Sequence, residues 1–242
     1  MFRVLFLALT LLLPVQSWAA AAFVQSNACN ASGASTTITC TLNGITAANL
    51  IIMQVKWEDS SNTLTSVSDG TTTFGQTAVC SRAGANSPFT AWAYLLNANS
   101  GNKTFTATIP TGSTFRVITV MEFSGGTWST DATAACGTAE SGTAVSSGNI
   151  TTVGTDGVAV GSYAPNSGVS ISAWAINGVT ADGHREEDFA SMWYKTYTAG
   201  YTGAATATLG GSQNWVSGAM AFKVTAGGGG PDVTPFYKRR IQ

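Results

Sequence analysis

Apolar and polar residues alternate with a period of two along most of this chain. In TTITCTL, residues 36–42, the side chains of Ile38, Cys40 and Leu42 fall on one face. Short segments rich in Gly, Ser and Asn separate such runs, and no apolar pattern with helical spacing exceeds about two turns. The sequence therefore predicts an all-β protein with many strands.

Two segments refine this prediction. NLIIMQVKW, residues 49–57, has apolar residues on both faces, which predicts a central strand covered on both sides. Asp69-Gly70 lies between two alternating segments, and both residues tolerate the positive φ angles of a hairpin turn. We expect a tight turn at this position.

The chain also repeats itself at a spacing of 100 residues. Residues 89–115 align without gaps with residues 189–215, and both contain an aromatic strand, a turn, a Thr-Ala-Thr strand and an aromatic-led strand. We infer two halves with the same strand order. The matching positions are Phe89 and Phe189, Tyr94 and Tyr194, the triplets at 106–108 and 206–208, and Phe115 and Trp215.

The repeat bears on the fold class. A unit of four or five strands buries one face only when a second sheet covers it. We therefore expect a single two-sheet β-sandwich, jelly-roll-like, with an internal pseudo-repeat of about 100 residues. The alternative is two tandem immunoglobulin-like domains of about 100 residues each. We prefer one sandwich because no linker-like break separates the halves.

Residues 1–19 have the features of a secretory signal peptide. Arg3 provides a positive start, residues 4–13 form an apolar-rich run, and small residues surround the expected cleavage position at Ala19. The run is shorter than the about 20 apolar residues that span a bilayer. We expect an exported protein with a sandwich domain at residues 20–225 and no membrane span after cleavage.

Four cysteines in an exported chain favour disulfide bonds. Of the three possible pairings we prefer Cys29–Cys40 with Cys80–Cys136, because residues 30–39 are polar and can fold back as a hairpin. The chain has no C-x-x-C spacing, which argues against a zinc site or a thioredoxin-like motif.

Charged residues are scarce and mostly acidic. Only 10% of the residues are Asp, Glu, Lys or Arg, against about 25% in ordinary soluble domains. Residues 20–225 hold seven Lys or Arg and eleven Asp or Glu, a net charge of −4. Such a surface does not attract a phosphate backbone, so nucleic acid is not expected as a partner.

Residues 226–242 differ in composition from the rest of the chain. Residues 226–230 read AGGGG, a flexible linker, and a basic tail follows. The tail is too short to bury a core, so it is either a frayed terminus or a segment that binds a partner. The residues that would contact such a partner are Phe236, Tyr237, Lys238, Arg239 and Arg240.

The succession NLIIMQVKW, SVSDGTTTF, WAYLLN, FTATI and VITVMEFSG resembles β-sandwich modules of secreted bacterial proteins and bacteriophage virion proteins. The resemblance covers most of the chain beyond the signal peptide and is a pattern of hydrophobicity and turns. It implies a jelly-roll or immunoglobulin-like sandwich used for display, adhesion or sugar binding. It contains no catalytic signature and transfers no functional residue to this chain.

One acidic segment, ADGHREEDF, contains the single histidine. Carboxylates could hold Ca²⁺ here, and a histidine with carboxylates could hold a transition metal. The spacing is not that of an EF-hand loop and Arg185 interrupts it, so a solvated loop is the preferred interpretation and no cofactor is expected. The candidate metal ligands are Asp182, His184, Glu186, Glu187 and Asp188.

The sequence does not favour an enzyme. A Ser-His-Asp hydrolase would need His184 as its base, but the chain has no G-x-S-x-G motif. A glycosidase needs two carboxylates across a cleft. Glu122 lies in an apolar strand, yet Arg116 shares its face, which favours a paired or edge-exposed carboxylate. The other available carboxylates are Glu58, Glu140 and Glu186.

Aromatic rings can stack on sugars, and six tryptophans follow the signal peptide. Trp92 and Trp215 lie in repeat-related strands and are expected in the core. Trp128 lies in the turn-rich segment SGGTWSTD, and it is the best candidate for an exposed ring that contacts a ligand.

Together these features favour a secreted, extracellular or cell-surface protein without catalytic activity. We expect a structural or adhesive role in a bacterial envelope or a virion. The chain would bind itself or another surface protein through sheet edges or through its tail. The alternative is a carbohydrate-binding module, and a glycan-active hydrolase is the least favoured interpretation.

Overall fold

The structure is a computed structural model that describes residues 20–59, 63–77, 79–82, 87–187 and 189–225. The predicted signal peptide, the basic tail and Asp188 lie outside these residues. The described part of the chain is built of strands and contains no helix. It therefore has no helix with the length and apolar character needed to cross a membrane.

Strands of the first half alternate with short turns, as the Gly- and Ser-rich segments predicted. They are β1 (Ala22–Ile45), β2 (Leu50–Asp59), β3 (Ser66–Ser68), β4 (Gly75–Gln76), β5 (Cys80–Ser81), β6 (Ser87–Leu95) and β7 (Gly101–Ser124). Those of the second half are β8 (Thr127–Thr151), β9 (Gly157–Pro165), β10 (Ile171–Ile176), β11 (Val179–Thr180), β12 (Gly183–Glu187), β13 (Ala190–Tyr197) and β14 (Thr202–Thr225).

Each half forms one antiparallel sheet, and the two sheets share a strand order. In the first sheet, β1 pairs with β7, β7 with β2, β2 with β6, and β6 with β4 and β5. In the second sheet, β8 pairs with β14, β14 with β9, β9 with β13, and β13 with β12. In addition, β3 pairs with β7, and β10 pairs with β14 and β11. The predicted internal pseudo-repeat is confirmed.

The Thr-Ala-Thr triplets occupy corresponding places in the two sheets. Residues 106–108 of β7 lie between β1 and β3, and residues 206–208 of β14 pair with β8 and β10. Beyond the triplets the spacing changes, because the pairing of β14 with β8 is irregular there. Phe123 consequently corresponds to Phe222 rather than to Lys223, and both phenylalanines lie between the sheets.

Apolar side chains form three buried clusters. The first lies inside the curled first sheet and includes Val55 and Phe105. The second lies inside the curled second sheet and includes Trp193. The third lies between the sheets and contains residues of both, such as Ile52 and Phe222. The all-β two-sheet sandwich is confirmed, and each sheet also encloses a core of its own.

Strand β2 is the central strand that the sequence predicted. It lies between β6 and β7, and Ile51 and Met53 belong to the cluster inside the first sheet. Ile52 on the opposite face belongs to the cluster between the sheets. Gln54 and Lys56 continue this second face and are fully buried. The space between the sheets is therefore apolar at one end of β2 and polar, then charged, at the other.

Both predicted disulfides are confirmed. Cys29 and Cys40 lie in β1, which bends so far that their Cα atoms are 5.5 Å apart. The segment between them pairs with β7 and is part of one long strand, rather than a separate hairpin. Cys80 in β5 is bonded to Cys136 in β8, so this disulfide joins the two sheets covalently.

The predicted turn at Asp69-Gly70 is also confirmed. Gly70 has a φ of 85°, and the amide of Asp69 donates to the carbonyl of Thr72 at 3.3 Å. An isolated bridge pairs Ser68 with Thr73 across the turn. Glycine suits Gly70 because it has no Cβ to clash in the left-handed region.

Candidate functional site

The two sheets meet along two sides of the sandwich, and the contacts on these sides differ. On one side the Cys80–Cys136 disulfide joins β5 to β8. On the opposite side β1 lies beside β12, and Nδ2 of Asn30 donates a hydrogen bond of 2.8 Å to Oε1 of Glu187. We call the space between the sheets on this second side the junction groove, bounded by Asn30 and Glu187.

Two adjoining cavities form the junction groove, and Phe189 lines both of them. One has a volume of about 510 Å³ and is lined by residues of the second sheet, including Tyr163, Glu186 and Glu187. The other has a volume of about 240 Å³ and is lined by Asn30, Ala31, Ser32, Phe115, Arg116, Val117 and Phe189. The second cavity therefore lies between the sheets.

Phe189 has an unusual backbone conformation. Its φ of 67° lies in the left-handed region, which is rare for a bulky residue and costs on the order of 1–3 kcal/mol. Its ring centroid is 5.5 Å from that of Phe115 and 5.4 Å from Nζ of Lys56. The second sheet thus places an aromatic ring against two residues of the first sheet.

Lys56 and Glu58 form a buried ion pair at this end of the groove. The side chain of Lys56 is fully buried, and its Nζ is hydrogen-bonded to Oε1 of Glu58. Burial lowers the pKa of Lys56, and the nearby Glu58 carboxylate opposes part of that shift. The ion pair fixes the position of the Lys56 ammonium, which lies over the ring of Phe189.

Arg116 is a second buried cation, at the wall of the 240 Å³ cavity. It is only 3% exposed. Its guanidinium donates to the carbonyl oxygens of Gly33 at 2.7 Å, Thr37 at 3.1 Å and Ser113. Burial lowers its pKa, and within the described residues no carboxylate lies within ion-pair distance of it.

The edge strands of the two sheets are a second candidate surface. Among the described residues, β1 pairs only with β7 and β8 pairs only with β14. These strands contain 24 and 25 residues, far more than the about 5–6 residues of a typical strand. Neither contains Lys, Arg or Pro, and β1 has no charged residue at all. Natural sheets usually carry charged residues or Pro on their edge strands, which prevent pairing with a strand of another chain.

The acidic segment does not bring its side chains to one point. Asp182 accepts hydrogen bonds from Lys195 and from the backbone and hydroxyl of Thr196. Burial alone would raise the pKa of Asp182, but these hydrogen bonds outweigh it and the pKa is lowered.

The remaining candidate metal ligands lie on β12 and beside it. His184 stacks on Trp174 with ring centroids 3.8 Å apart, and Glu187 bonds to Asn30. Glu186 is exposed, and Asp188 lies outside the described residues. In the described ranges no group of three or more His, Cys, Asp or Glu side chains is arranged to hold a metal ion.

The expectation that Trp128 is exposed is wrong. Trp128 is only 2% exposed and belongs to the apolar cluster between the sheets. Trp128 pairs with Val224 at the start of β8. A Cβ placed on Gly125 would lie 2.9 Å from the indole, so the glycine turn leaves the room that the ring fills. We therefore do not assign Trp128 a ligand contact.

Glu122 is neither edge-exposed nor paired with Arg116. It is fully buried and accepts hydrogen bonds from Gln25 at 2.6 Å, the amide of Thr46 at 2.9 Å and Asn49 at 2.7 Å. Its role is to hold the turn between β1 and β2. Of the other glycosidase candidates, Glu58 is paired with Lys56, and the side chain of Glu140 lies outside the described part.

The tail residues Phe236, Tyr237, Lys238, Arg239 and Arg240 lie outside the described residues.

The sequence pattern did not identify Arg116, Phe115 or Phe189 as groove residues. The alignment of Phe115 with Trp215 was wrong, since Phe115 is 42% exposed and Trp215 is buried. The available signal was the presence of Arg116 and Lys56, two long cations, inside otherwise apolar strands.

Comparisons with known proteins add no relative. No family model, no curated protein and no solved structure matches this chain. The function must therefore be inferred from the geometry of the groove and the edges.

Proposed function

We propose that this chain is an exported, non-catalytic structural or adhesive surface protein that assembles through its sheet edges. The observation that carries this proposal is the pair of long edge strands, β1 and β8, without the Lys and Pro residues that normally prevent strand addition. An added strand gains main-chain hydrogen bonds wherever it runs beside an unpaired stretch of an edge strand. The partner is another copy of the chain or another surface protein.

The two disulfides support the location. Disulfides persist in oxidising environments, which include the outside of the cell. The predicted signal peptide agrees with export, and the resemblance of the sequence pattern to secreted and virion modules favours a cell surface or a virus particle as the location. The basic tail supplies a second means of attachment.

A matched pair of lysine substitutions tests assembly through β8. Ala144 of β8 and Thr208 of β14 lie directly opposite each other, and both are exposed. Ala144→Lys places a charge on the edge strand, whereas Thr208→Lys places it on a strand that pairs on both sides. In sedimentation velocity, we expect the first variant to form smaller assemblies than the wild type and the second to behave as the wild type.

The edge formed by β1 is tested in the same way with Thr39→Lys, since Thr39 is exposed on that strand. Deleting residues 231–242 tests the tail separately. A wild-type protein that stays monomeric at all concentrations would overturn assembly between copies of the chain. Lysine variants that assemble unchanged would overturn the role of the sheet edges, and an unchanged tail deletion would overturn the role of the tail.

Carbohydrate binding is the second candidate function. The observation that favours it is the exposed ring of Phe115 beside Phe189 at a cavity with polar groups. The two functions are compatible, because assembly would use the sheet edges and sugar binding would use the junction groove.

A further inference from the structure

Arg116 is a buried cation whose hydrogen bonds are only partly used. A guanidinium has five N–H donors. Nε and Nη1 of Arg116 donate to three backbone carbonyls, whereas Nη2 makes no hydrogen bond to the described residues. A buried charge is costly unless an opposite charge or several hydrogen bonds compensate it. The carbonyls compensate part of this cost and leave the positive charge itself unmatched.

The cavity beside Arg116 has the size and walls of a small binding site. Its volume of about 240 Å³ is below the about 300–1,000 Å³ of sites for drug-sized ligands. The rings of Phe115 and Phe189 form one side, and Asn30 and Ser32 add polar groups at the rim. Such a combination suits a group that has both a flat apolar face and hydrogen-bonding edges.

We propose that this cavity binds the carboxylate of an acidic sugar residue, with Nη2 of Arg116 as the donor to the carboxylate and Phe115 against the apolar face of the sugar ring. Arginine is the residue best suited to a carboxylate, because its planar donors match the two oxygens. This inference goes beyond assembly through the edges: it gives the adhesive surface a class of ligand.

The neighbouring cavity makes the site selective for a single negative charge. Glu186 and Glu187 line that cavity, which adjoins the Arg116 cavity at Phe189. A polyanion that extended along the groove would meet these carboxylates and be repelled. A glycan that ends in one acidic residue would not.

Calorimetric titration of the disulfide-bonded protein with glucuronate tests the proposal. Glucose and acetate are the controls for the sugar ring and for the carboxylate. We expect glucuronate to bind at least about ten-fold more tightly than either control, a difference of about 1.4 kcal/mol. Equal affinity for glucose would overturn the role of Arg116, and equal affinity for acetate would overturn the role of the sugar ring.

A substitution at Ser32 locates the site without removing Arg116, whose loss could unfold the protein. Ser32 lines the cavity and pairs with Phe115 across β1 and β7. Ser32→Asp supplies an internal carboxylate for Arg116, so glucuronate binding should fall at least about ten-fold. Ser32→Asn, which has the shape of Asp without its charge, should weaken glucuronate binding much less than Ser32→Asp does. Unchanged binding by Ser32→Asp would overturn the proposal.

Failure of this proposal can be separated from failure of assembly. Thr39→Lys and Ala144→Lys act on the edges, and neither residue lines the cavity. We expect both variants to bind glucuronate as the wild type does, whatever their sedimentation. Phe115→Ala should weaken glucuronate binding several-fold, since the ring is 42% exposed and available to the sugar. Full retention of binding by Phe115→Ala would contradict the assigned orientation.

Discussion

Asn30 of β1 donates a hydrogen bond to Glu187 of β12 and so connects the two sheets on one side of the sandwich. On the opposite side the Cys80–Cys136 disulfide connects them covalently. This hydrogen bond is exposed and contributes about 1 kcal/mol or less, whereas a disulfide typically contributes about 2–4 kcal/mol and restricts the unfolded chain as well. The two sides are therefore held unequally, and the junction groove lies on the side without the covalent link.

The first prediction concerns the two disulfides. Cys80 and Cys136 are separated by 56 positions, and Cys29 and Cys40 by 11. In the chain-entropy model the longer loop contributes about 4 kcal/mol and the shorter about 3 kcal/mol. Replacing both cysteines of a pair with alanine should thus lower the free energy of unfolding more for the pair that joins the sheets. Urea denaturation measures both, and the reverse order would contradict the prediction.

The second prediction concerns pH and the turn at Asp69. Burial alone would raise the pKa of Asp69, but hydrogen bonds from Thr71, Thr72 and Lys103 outweigh it and lower the pKa to about 2. A carboxyl group with a pKa below its unfolded value stabilises the fold when charged. Its contribution is complete above about pH 4, falls as the pH drops and is gone below about pH 2.

Asp69→Asn should therefore lower the free energy of unfolding by about 1–2 kcal/mol at pH 7. The difference from the wild type should shrink as the pH falls from about 4 to about 2. Chemical denaturation at a series of pH values measures this difference. Glu186→Asn is the control, because Glu186 is exposed; a deficit for Asp69→Asn that does not change with pH would contradict the assigned cause.

The third prediction concerns Glu122. Its carboxylate accepts three hydrogen bonds in a fully buried position. Glu122→Ala leaves these donors unpaired and should cost about 2–3 kcal/mol or more. Glu122→Gln keeps one acceptor oxygen and should cost less. Thermal unfolding compares the variants, and equal melting temperatures for Glu122→Ala and the wild type would refute the structural role.

The fourth prediction concerns Trp128. Because the ring fills space between the sheets, Trp128→Ala should leave a cavity and cost about 3–5 kcal/mol. Trp174 is only partly buried and stacks on His184, so Trp174→Ala should cost less. Urea denaturation monitored by circular dichroism distinguishes the two. A negligible effect of Trp128→Ala would mean that the ring is not packed between the sheets.

Much of the fold could be predicted because its signals are local. Period-two alternation defines strands, Asp69-Gly70 defines a turn, and the repeated triplets define two equivalent sheets. The preferred disulfide pairing, one of three possible for four cysteines, is also confirmed. The groove could not be predicted in this way, because Asn30, Phe115 and Phe189 are far apart in the chain and meet only when one sheet covers the other.

Local patterns along the chain predict the strands, the internal repeat, the paired cysteines and the scarcity of charge on the edge strands. Which face of each strand meets the other sheet depends on how the two sheets pack. Alternation shows that a strand has two faces, but the covering residues come from elsewhere in the chain. That is why Trp128 is buried while Phe115 is exposed, and why Arg116 lies at a cavity where its charge has no carboxylate partner among the described residues.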